Sequence, residues 1–409
     1  MKNAINKAPK IIFWSCMTIA LAIAFLIFKD LADISQWVIQ GSRETTMAVW
    51  YNRIPLAVIS MVFAVIASIV WFRTRAGIGN KGFISLLLIF AAFWASGIIN
   101  PHIMMRPRQD DAVWVGTEEA RKYVQTNESV IVYEIDGIAR AHADQQVLRP
   151  HVAGGAPVNG KDVVMTYCGL TNLGMAYIPE IEGQKLDLAP MTQLENNLVM
   201  FDANSGEPIQ QLWGQTEADV VAGNDRGMQE YPTFRMPFGK FEQAYPDGEV
   251  FINDYLVEDM RPKLWQNPLL FTYDRAMEFI FSTAIDFQRE IEAPVFPTIE
   301  HHDERLPTKE LIWGFDINHD YVAYTEQFVR ENGNLVNVVV GGESVVIAWD
   351  EEYQSLGVYF NYTGEKVQEI DFHGLTGSGV KLPRVETLKA GAYWIVWANF
   401  FPQTDINRA

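Results

Sequence analysis

Soft donor atoms gather in the middle third of this 409-residue chain. The side chains are His142, His151, Cys168, Met175 and Met200. Imidazole, thiolate and thioether groups on a β scaffold suit copper better than calcium or magnesium, which prefer oxygen ligands. If the strands that carry them converge, we expect a mononuclear copper site, used for electron transfer or copper transport. Its predicted metal ligands are Cys168, His151, Met200 and His142.

Other chemistries would use the same residues. Haem ligation by His and Met is a second hypothesis, although the chain has no Cys-x-x-Cys-His attachment motif. A thiol-dependent enzyme would need His151 or His142 as a base beside Cys168, together with a third, orienting group. In a purely structural interpretation, Cys168 and Met200 are buried members of the core. The sequence leaves these alternatives open.

Short β-branched and aromatic runs must position these residues. Runs of this kind, separated by Gly, Asn and Asp, are typical of strands. A helical pattern between Asn267 and Ile291 interrupts them, and a charged stretch, Thr298–Lys309, reads as a linker. The predicted strands are Val130–Ile135, Val163–Tyr167, Leu198–Phe201, Val336–Val340, Val345–Trp349 and Gly357–Tyr362.

The segments on the two sides of that helix resemble each other. Five blocks recur in the same order; one pair is Val132-Tyr-Glu-Ile-Asp and Ile312-Trp-Gly-Phe-Asp, and another is Gly160-Lys-Asp-Val-Val and Gly342-Glu-Ser-Val-Val. Asp350 stands in the second segment where Cys168 stands in the first. We therefore predict a duplicated β-rich domain with units at 109–260 and 311–409, joined by a helix and linker at 261–310.

Several motifs place the chain in a known family. They are Ile135-Asp-Gly-Ile-Ala-Arg-Ala, Val163-Val-Met-Thr-Tyr-Cys-Gly-Leu-Thr, Asn196-Asn-Leu-Val-Met-Phe-Asp and Ala392-Tyr-Trp-Ile-Val-Trp-Ala-Asn-Phe-Phe-Pro. Over about Glu128–Ile406 the chain resembles the bacterial family catalogued as domain of unknown function 3179. The family commonly has Cys-Pro-x-Cys after the Tyr, whereas this chain has Cys168-Gly-Leu-Thr171. The resemblance therefore implies no two-thiol redox or metal site here, and no established activity.

Residues 1–108 have a different texture. Three apolar runs, Ile11–Phe28, Pro55–Phe72 and Phe83–Ile99, carry no charged side chain. At 1.5 Å per residue each spans roughly 25–27 Å, near the thickness of a bilayer core. Lysines precede the first run, and Arg73, Arg75 and Lys81 lie between the second and third. By the positive-inside rule we predict a three-helix anchor with a cytoplasmic N-terminus in a bacterial inner membrane and a periplasmic C-terminal domain.

The charges support this division. Residues 1–108 hold 11 Lys/Arg and 3 Asp/Glu, and the rest of the chain holds 21 and 47, which is a net charge of -26. A domain this acidic repels phosphate backbones, so the composition excludes general nucleic-acid binding. The overall prediction is an α+β membrane protein, with lipid and other membrane or periplasmic proteins as partners. It would act as an extracytoplasmic binding or redox accessory protein, or alternatively as a non-metal interaction module.

Overall fold

The computed structural model describes residues 8–74, 79–98, 101–257, 260–292 and 296–408. Four residues that we used to predict the membrane spans and their orientation lie outside these ranges: Lys2, Lys7, Arg75 and Ile99. The described residues form two compact units. The first runs to Met104 and includes Met191–Leu194 and Phe296–Thr298, and the second holds the remaining residues from Met105 onward.

The first unit is helical. Small side chains allow two of its helices, Ala8–Leu31 and Arg53–Thr74, to approach closely. Ala20, Ala24 and Ala67 are buried, and the Ser60 Oγ donates to the Ala20 carbonyl at 2.8 Å. Its helices are α1 (Ala8–Leu31), α2 (Arg43–Tyr51), α3 (Arg53–Thr74), α4 (Gly79–Ile98) and α5 (Pro101–Met105).

Two of these helices, α1 and α3, are long and apolar enough to cross a membrane. The third predicted span, Phe83–Ile99, is not confirmed. It forms most of α4, but the apolar stretch in that helix is Asn80–Phe93. At 1.5 Å per residue this stretch covers about 21 Å, which is short of a hydrocarbon core of about 30 Å.

The second unit is rich in β-structure. The six predicted strands are all present, because their β-branched and apolar residues are buried, in most of these strands on both faces. The strands are β1 (Val113–Gly116), β2 (Ser129–Ile135), β3 (Ile138–Ala143), β4 (Val152–Ala153), β5 (Val164–Cys168), β6 (Leu173–Tyr177), β7 (Glu180–Ile181), β8 (Gln184–Lys185), β9 (Leu188–Leu194), β10 (Asn197–Asp202), β11 (Pro208–Gln210), β12 (Gln215–Thr216), β13 (Glu230–Tyr231), β14 (Phe234–Pro237), β15 (Glu249–Ile252), β16 (Leu311–Ile317), β17 (Asp320–Tyr324), β18 (Leu335–Val340), β19 (Glu343–Asp350), β20 (Ser355–Phe360), β21 (Lys389–Tyr393) and β22 (Asp405–Ile406).

Short helices punctuate these strands, and one long helix separates two groups of them. The long helix, α10, begins after Asn267, whose side chain accepts from the Leu270 amide and caps it. The helices are α6 (Thr117–Ala120), α7 (Asp144–Val147), α8 (Glu217–Ala222), α9 (Phe238–Ala244), α10 (Pro268–Glu290), α11 (Glu326–Glu331) and α12 (Trp394–Phe400).

The strands before and after α10 follow the same plan, and we call residues 113–252 the first half and residues 311–406 the second half. In the first half the order is β15-β3-β2-β14, and in the second it is β22-β17-β16-β21. In each sheet the first of these strands pairs in parallel with its neighbour, and the other pairs are antiparallel. Each half also places a short helix after the central hairpin and another before the parallel strand.

The hairpin turns fix how the two halves correspond. Asp136 and Gly137 link β2 to β3, and Asn318 and His319 link β16 to β17; all four have positive φ, as a two-residue type I′ turn requires. Asp136 therefore corresponds to Asn318. The sequence blocks aligned Asp136 with Asp316, two residues away, so that predicted register was wrong.

Candidate functional site

A cavity of about 790 Å³ opens in the second unit, between the first and second halves. Its volume lies within the range of small-molecule sites in proteins. Strands and helix ends from both halves, together with the last turn of α10, form its wall. The lining residues are Asn127, Ser129, Asp144, Asn172, Arg235, Met236, Pro237, Arg289, Lys309, Leu311, Trp313, Glu326, Arg330, Trp349, Glu351, Gln354, Gly391 and Tyr393.

Equivalent positions of the two halves meet in this wall. Asp144 and Glu326 are the first residues of α7 and α11. Asn172 and Gln354 each end a four-residue hairpin turn, with φ of 56° and 51°. Three further equivalent pairs line the cavity: Ser129 with Leu311, Asn127 with Lys309, and Pro237 with Tyr393.

A buried ion pair anchors the first-half side of the cavity. The Arg235 Nη1 donates to both carboxylate oxygens of Asp144, at 2.9 and 3.0 Å. The same guanidinium donates to the Asn172 and Ala390 carbonyl oxygens, at 2.8 and 3.0 Å. Arg235 thereby joins the loop after Cys168 to strand β21 of the second half. Such a multiply bonded pair holds the two halves in a defined arrangement.

A β-bulge on the second-half side makes room for Arg235. Trp313 pairs with Ala390 while Ile312 pairs with Ala392, so Gly391 is the extra residue of β21. Gly391 has a φ of +77°, and a Cβ there would lie 3.0 Å from the Arg235 Cδ. The position therefore needs glycine both for its backbone conformation and for the close approach of the arginine.

Three nitrogen donors at the cavity have no acceptor among the described residues. They are the Lys309 Nζ, the Trp313 Nε1 and the Trp349 Nε1, and all three atoms are buried. By contrast, the Trp394 Nε1 donates to the Asp303 carbonyl at 2.9 Å and the Trp397 Nε1 donates to the Thr404 Oγ1 at 3.0 Å. Buried donors in folded proteins are nearly always paired, so three at one cavity point to an acceptor supplied from outside the chain.

The amine of Lys309 is unusual in its surroundings. It lies 4.9 Å from the centroid of the Tyr393 ring, and no described carboxylate is in ion-pair contact with it. Burial lowers the pKa of Lys309 to about 8, with the distant Glu292 opposing the shift. The amine therefore changes its charge close to neutral pH, and an anion beside it would favour the charged form.

The charges lining the cavity differ from those of the domain as a whole. Four cations, Arg235, Arg289, Lys309 and Arg330, face three carboxylates, Asp144, Glu326 and Glu351. Arg330 contacts Glu326 at 3.1 Å and Glu351 at 3.4 Å, which neutralises it locally. The cavity is a locally cationic site in a domain with a net charge of -26, so an anion would be favoured there over most of the surface.

The predicted ligand Cys168 ends β5 and is fully buried. Its Sγ lies 3.7 Å from the Asn196 carbonyl oxygen, to which it donates, and burial raises the pKa of the thiol. A neutral, enclosed thiol is a poor nucleophile and a poor metal ligand. The position nevertheless matters for the cavity, because the turn that follows Cys168 ends at Asn172 in the cavity wall.

The other three predicted ligands are also buried but lie in different surroundings. His151 precedes β4 and packs its ring against Phe281 of α10. His142 belongs to β3 in another sheet, among the rings of Trp114 and Phe251. Met200 lies inside β10. The Tyr167 amide donates to the His151 carbonyl, so the structure brings the His151 and Cys168 segments together and separates His142 from them.

These surroundings do not support metal binding. Across the described ranges, no group of three or more His, Cys, Asp or Glu side chains is arranged to hold a metal ion. Burial lowers the pKa of His142 to about 3 and that of His151 to about 4. Both imidazoles are therefore neutral, which is the form that binds metals, but His142 lies in a different sheet from Cys168. The copper site at Cys168, His151, Met200 and His142 thus remains an untested prediction without a supporting donor cluster.

Sequence reasoning missed the cavity residues. The sequence predicts Lys309 in a linker and Trp349 at the end of a strand, and Trp313 enters the prediction only through the repeated blocks. The signal that was present is the repeat itself, because the ends of equivalent strands in two packed halves meet at their interface. Which side chains remain without acceptors there depends on packing that the sequence does not display.

Comparisons with known proteins give a family and no activity. A family model described as "Protein of unknown function (DUF3179)" matches residues 101–404, which confirms the resemblance seen in the motifs. No curated protein and no solved structure matches the chain.

Proposed function

We propose a function for this chain, which belongs to the DUF3179 family of proteins of unknown function, from the chemistry of its cavity. The protein is a membrane-anchored, extracytoplasmic binding protein. It binds a small anion that bears a carboxylate or phosphate group, in the cavity between the two halves of a duplicated domain. Helices α1 and α3 supply the anchor. Because two spans alone would return the chain to the side of its N-terminus, the periplasmic position of the acidic second unit also requires α4 to cross the membrane.

One observation carries the proposal. The Lys309 Nζ, Trp313 Nε1 and Trp349 Nε1 are buried donors at one cavity and lack acceptors among the described residues. A carboxylate or phosphate offers several acceptor oxygens and a charge that suits the local excess of cations. Because each donor is left unpaired without a ligand, binding would recover hydrogen bonds that folding alone does not make.

The shared plan of the two halves supports the duplication. Equal strand orders, equal strand directions and matched two-residue turns accompany the repeated sequence blocks. Equivalent residues line the cavity from both sides. Duplicated domains commonly place ligands at the interface between their units, where one site draws on two rigid scaffolds.

Other proposals draw less support from the geometry. A thiol-dependent enzyme would need Cys168 as a thiolate, whereas burial raises the pKa of its thiol. A copper carrier would need the four predicted ligands in one cluster, but His142 lies in a different sheet from Cys168. A non-metal interaction module remains an alternative that a purified-complex inventory would test.

The experiment is a calorimetric titration of the full chain in detergent with acetate, succinate and inorganic phosphate. We expect saturable binding of at least one anion, weakened at least tenfold by Lys309→Met. Lys122→Met is the matched control, because Lys122 is 66% exposed and lies outside the cavity; it should leave binding unchanged. Absence of saturable binding for all three anions, or equal weakening by both variants, would contradict the proposal.

A further inference from the structure

The turn that carries Lys309 is fixed on both sides of this residue. The Thr308 carbonyl accepts from the Ile395 amide at 3.1 Å. The Glu310 carbonyl accepts from the Trp394 amide at 2.9 Å. Both amides belong to the first turn of α12. The backbone of Lys309 therefore has a defined position in the cavity wall, which is what a reactive side chain needs if it is to meet a ligand in one orientation.

The Lys309 amine stands apart from the charged groups around it. Four contacts occupy most of those groups: Arg235–Asp144, Arg330–Glu326, Arg330–Glu351 and Gln327–Glu331. Arg289, Glu310 and Tyr393 complete the titratable groups that line the cavity and an adjoining one of about 510 Å³, which shares Lys309 and Trp313. The Lys309 Nζ hydrogen-bonds none of the described residues and lies 4.9 Å from the centroid of the Tyr393 ring.

Of the three unpaired donors at the cavity, the Lys309 amine alone can act as a nucleophile. The indoles of Trp313 and Trp349 can only donate a hydrogen bond. Burial lowers the pKa of Lys309 to about 8, so part of the amine is neutral, and therefore nucleophilic, near neutral pH. A site that only held an anion would gain more from an arginine, which stays charged when it is buried. The three groups together suit a ligand with acceptor oxygens at one end and an electrophilic carbon at the other.

We propose that Lys309 forms an imine with the ketone of an oxo acid, whose carboxylate accepts from the Trp313 and Trp349 Nε1 atoms. The neutral Nζ attacks the ketone carbon and the C–N bond forms. The two amine protons then leave with the carbonyl oxygen as water, so the step consumes no oxidant or reductant. Because the Nζ is buried, bulk water has little access to the imine. This inference rests on the proposed function and narrows the anion to one that also carries a ketone.

The test is reduction of the full chain in detergent by cyanoborohydride, in the presence of pyruvate or 4-oxopentanoate. Reduction converts an imine into a stable secondary amine, which proteolysis and mass spectrometry assign to one lysine. Lys122 is the internal control, because its side chain is 66% exposed and lies outside the cavity. We expect the adduct on Lys309 to exceed that on Lys122 at least tenfold with one of the two oxo acids.

Two further measurements test the role of the carboxylate. Acetone is a ketone without a carboxylate, and we expect it to give a ratio of Lys309 to Lys122 adduct at least threefold lower than the oxo acid does. Trp349→Phe removes one indole donor and keeps an aromatic ring. We expect this variant to lower the oxo-acid adduct on Lys309 at least threefold relative to the acetone adduct on the same residue.

The outcomes separate the inference from the proposed function. Saturable binding of succinate or phosphate in calorimetry, with equal oxo-acid adducts on Lys309 and Lys122, overturns the inference alone. Neither binding nor a selective adduct overturns both. An adduct on Lys309 that is equally selective with acetone overturns the assignment to an oxo acid, because the carboxylate then contributes nothing. The parent chain alone gives these results, so they do not depend on the folding of Trp349→Phe.

Discussion

The two halves of the β-rich unit share one strand order but differ where they meet. In the first half the cavity wall carries Asp144 and the long side chain of Arg235; in the second half it carries Glu326 and the bulge glycine Gly391. Two equivalent arginines facing each other at such an interface would collide and repel. The second half therefore leaves, at Gly391, the space that Arg235 of the first half fills, and the cavity is asymmetric although the two halves share one strand order.

The same contrast holds for the unpaired donors. Lys309, which stands two residues before the second half, corresponds to Asn127 of the first half, and Trp313 corresponds to Ile131. The three cavity donors without acceptors among the described residues lie in the second half or just before it, whereas the first half supplies the paired Arg235 and Asp144. We call the Arg235–Asp144 ion pair the clamp. The first half therefore provides the clamp, and the second-half side of the cavity provides the donors that we propose bind the anion.

Breaking the clamp should have the largest effect. Arg235→Met would leave the buried Asp144 carboxylate without its cation, and we expect the free energy of unfolding to fall by about 4 kcal/mol. The measurement is urea unfolding followed by tryptophan fluorescence in detergent. Arg121→Met is the control, since Arg121 forms an exposed ion pair with Glu242 and its loss should cost less than about 1 kcal/mol. Similar losses for the two variants would contradict the clamp.

Filling the space that the second half leaves for Arg235 should lower the free energy of unfolding by less than Arg235→Met does. Gly391→Ala adds a Cβ to a left-handed residue and places it 3.0 Å from the Arg235 Cδ. We expect a loss of about 2 kcal/mol, from backbone strain and displacement of the arginine. If strain were the only cause, the loss would persist in the Arg235→Met background; we expect it to fall by about half there. The double-mutant cycle measures this coupling.

A difference between the central hairpins should appear in acid. His142 pairs with Ile131 in the first half, where Tyr324 pairs with Trp313 in the second. Burial lowers the pKa of His142 to about 3. Below about pH 6.5 its imidazole therefore binds a proton in the unfolded state but not in the folded state. Stability is full above pH 6.5 and falls as the pH drops toward 3.

His142→Phe removes that proton-linked loss. Between pH 7.5 and 5.5 we expect the loss of stability in the variant to be smaller than in the parent chain by about 1.4 kcal/mol. His151, whose pKa burial lowers to about 4, remains in both proteins and contributes the same slope to each. Parallel pH profiles for the two proteins would contradict this, because they would mean that the pKa of His142 is the same in the folded and unfolded chains.

Much of the fold was accessible from the sequence because its signals are local. Runs such as Val345–Trp349 are rich in β-branched and aromatic residues, and Asn267 before α10 is a capping residue, so strand and helix positions follow from short-range chemistry. The third span was not confirmed, because α4 holds a shorter apolar stretch than its composition suggested. The predicted register of the repeat is wrong by two residues, because the shared residues Asp136 and Asp316 do not occupy equivalent positions relative to the hairpin turns.

The candidate site was largely inaccessible for the opposite reason. Its wall joins residues as far apart as Asn127 and Gly391, and their proximity depends on how the two halves pack. The sequence predicts site residues from the reactivity of their side-chain atoms, whereas the Cys168 thiol is buried and burial raises its pKa. An unpaired donor such as the Trp349 Nε1 has no signature in sequence, because being unpaired is a property of its neighbours.

The smallest expected effect comes from making the halves alike at Lys309. Lys309→Asn introduces the residue found at the equivalent position of the first half and removes a buried amine that has no acceptor among the described residues. We therefore expect the free energy of unfolding to rise by no more than about 1 kcal/mol.

The pKa of Lys309 is lowered to about 8, so the charged amine destabilises the parent fold below that pH and ceases to do so as the pH rises toward 10.5. The advantage of Lys309→Asn should therefore be present at pH 7 and vanish by about pH 10.5. Unfolding of both proteins across this range measures it. An advantage that grows with pH would place an unseen anionic partner beside Lys309 in the free protein, and the division of the halves into clamp and ligand-binding side would then need revision.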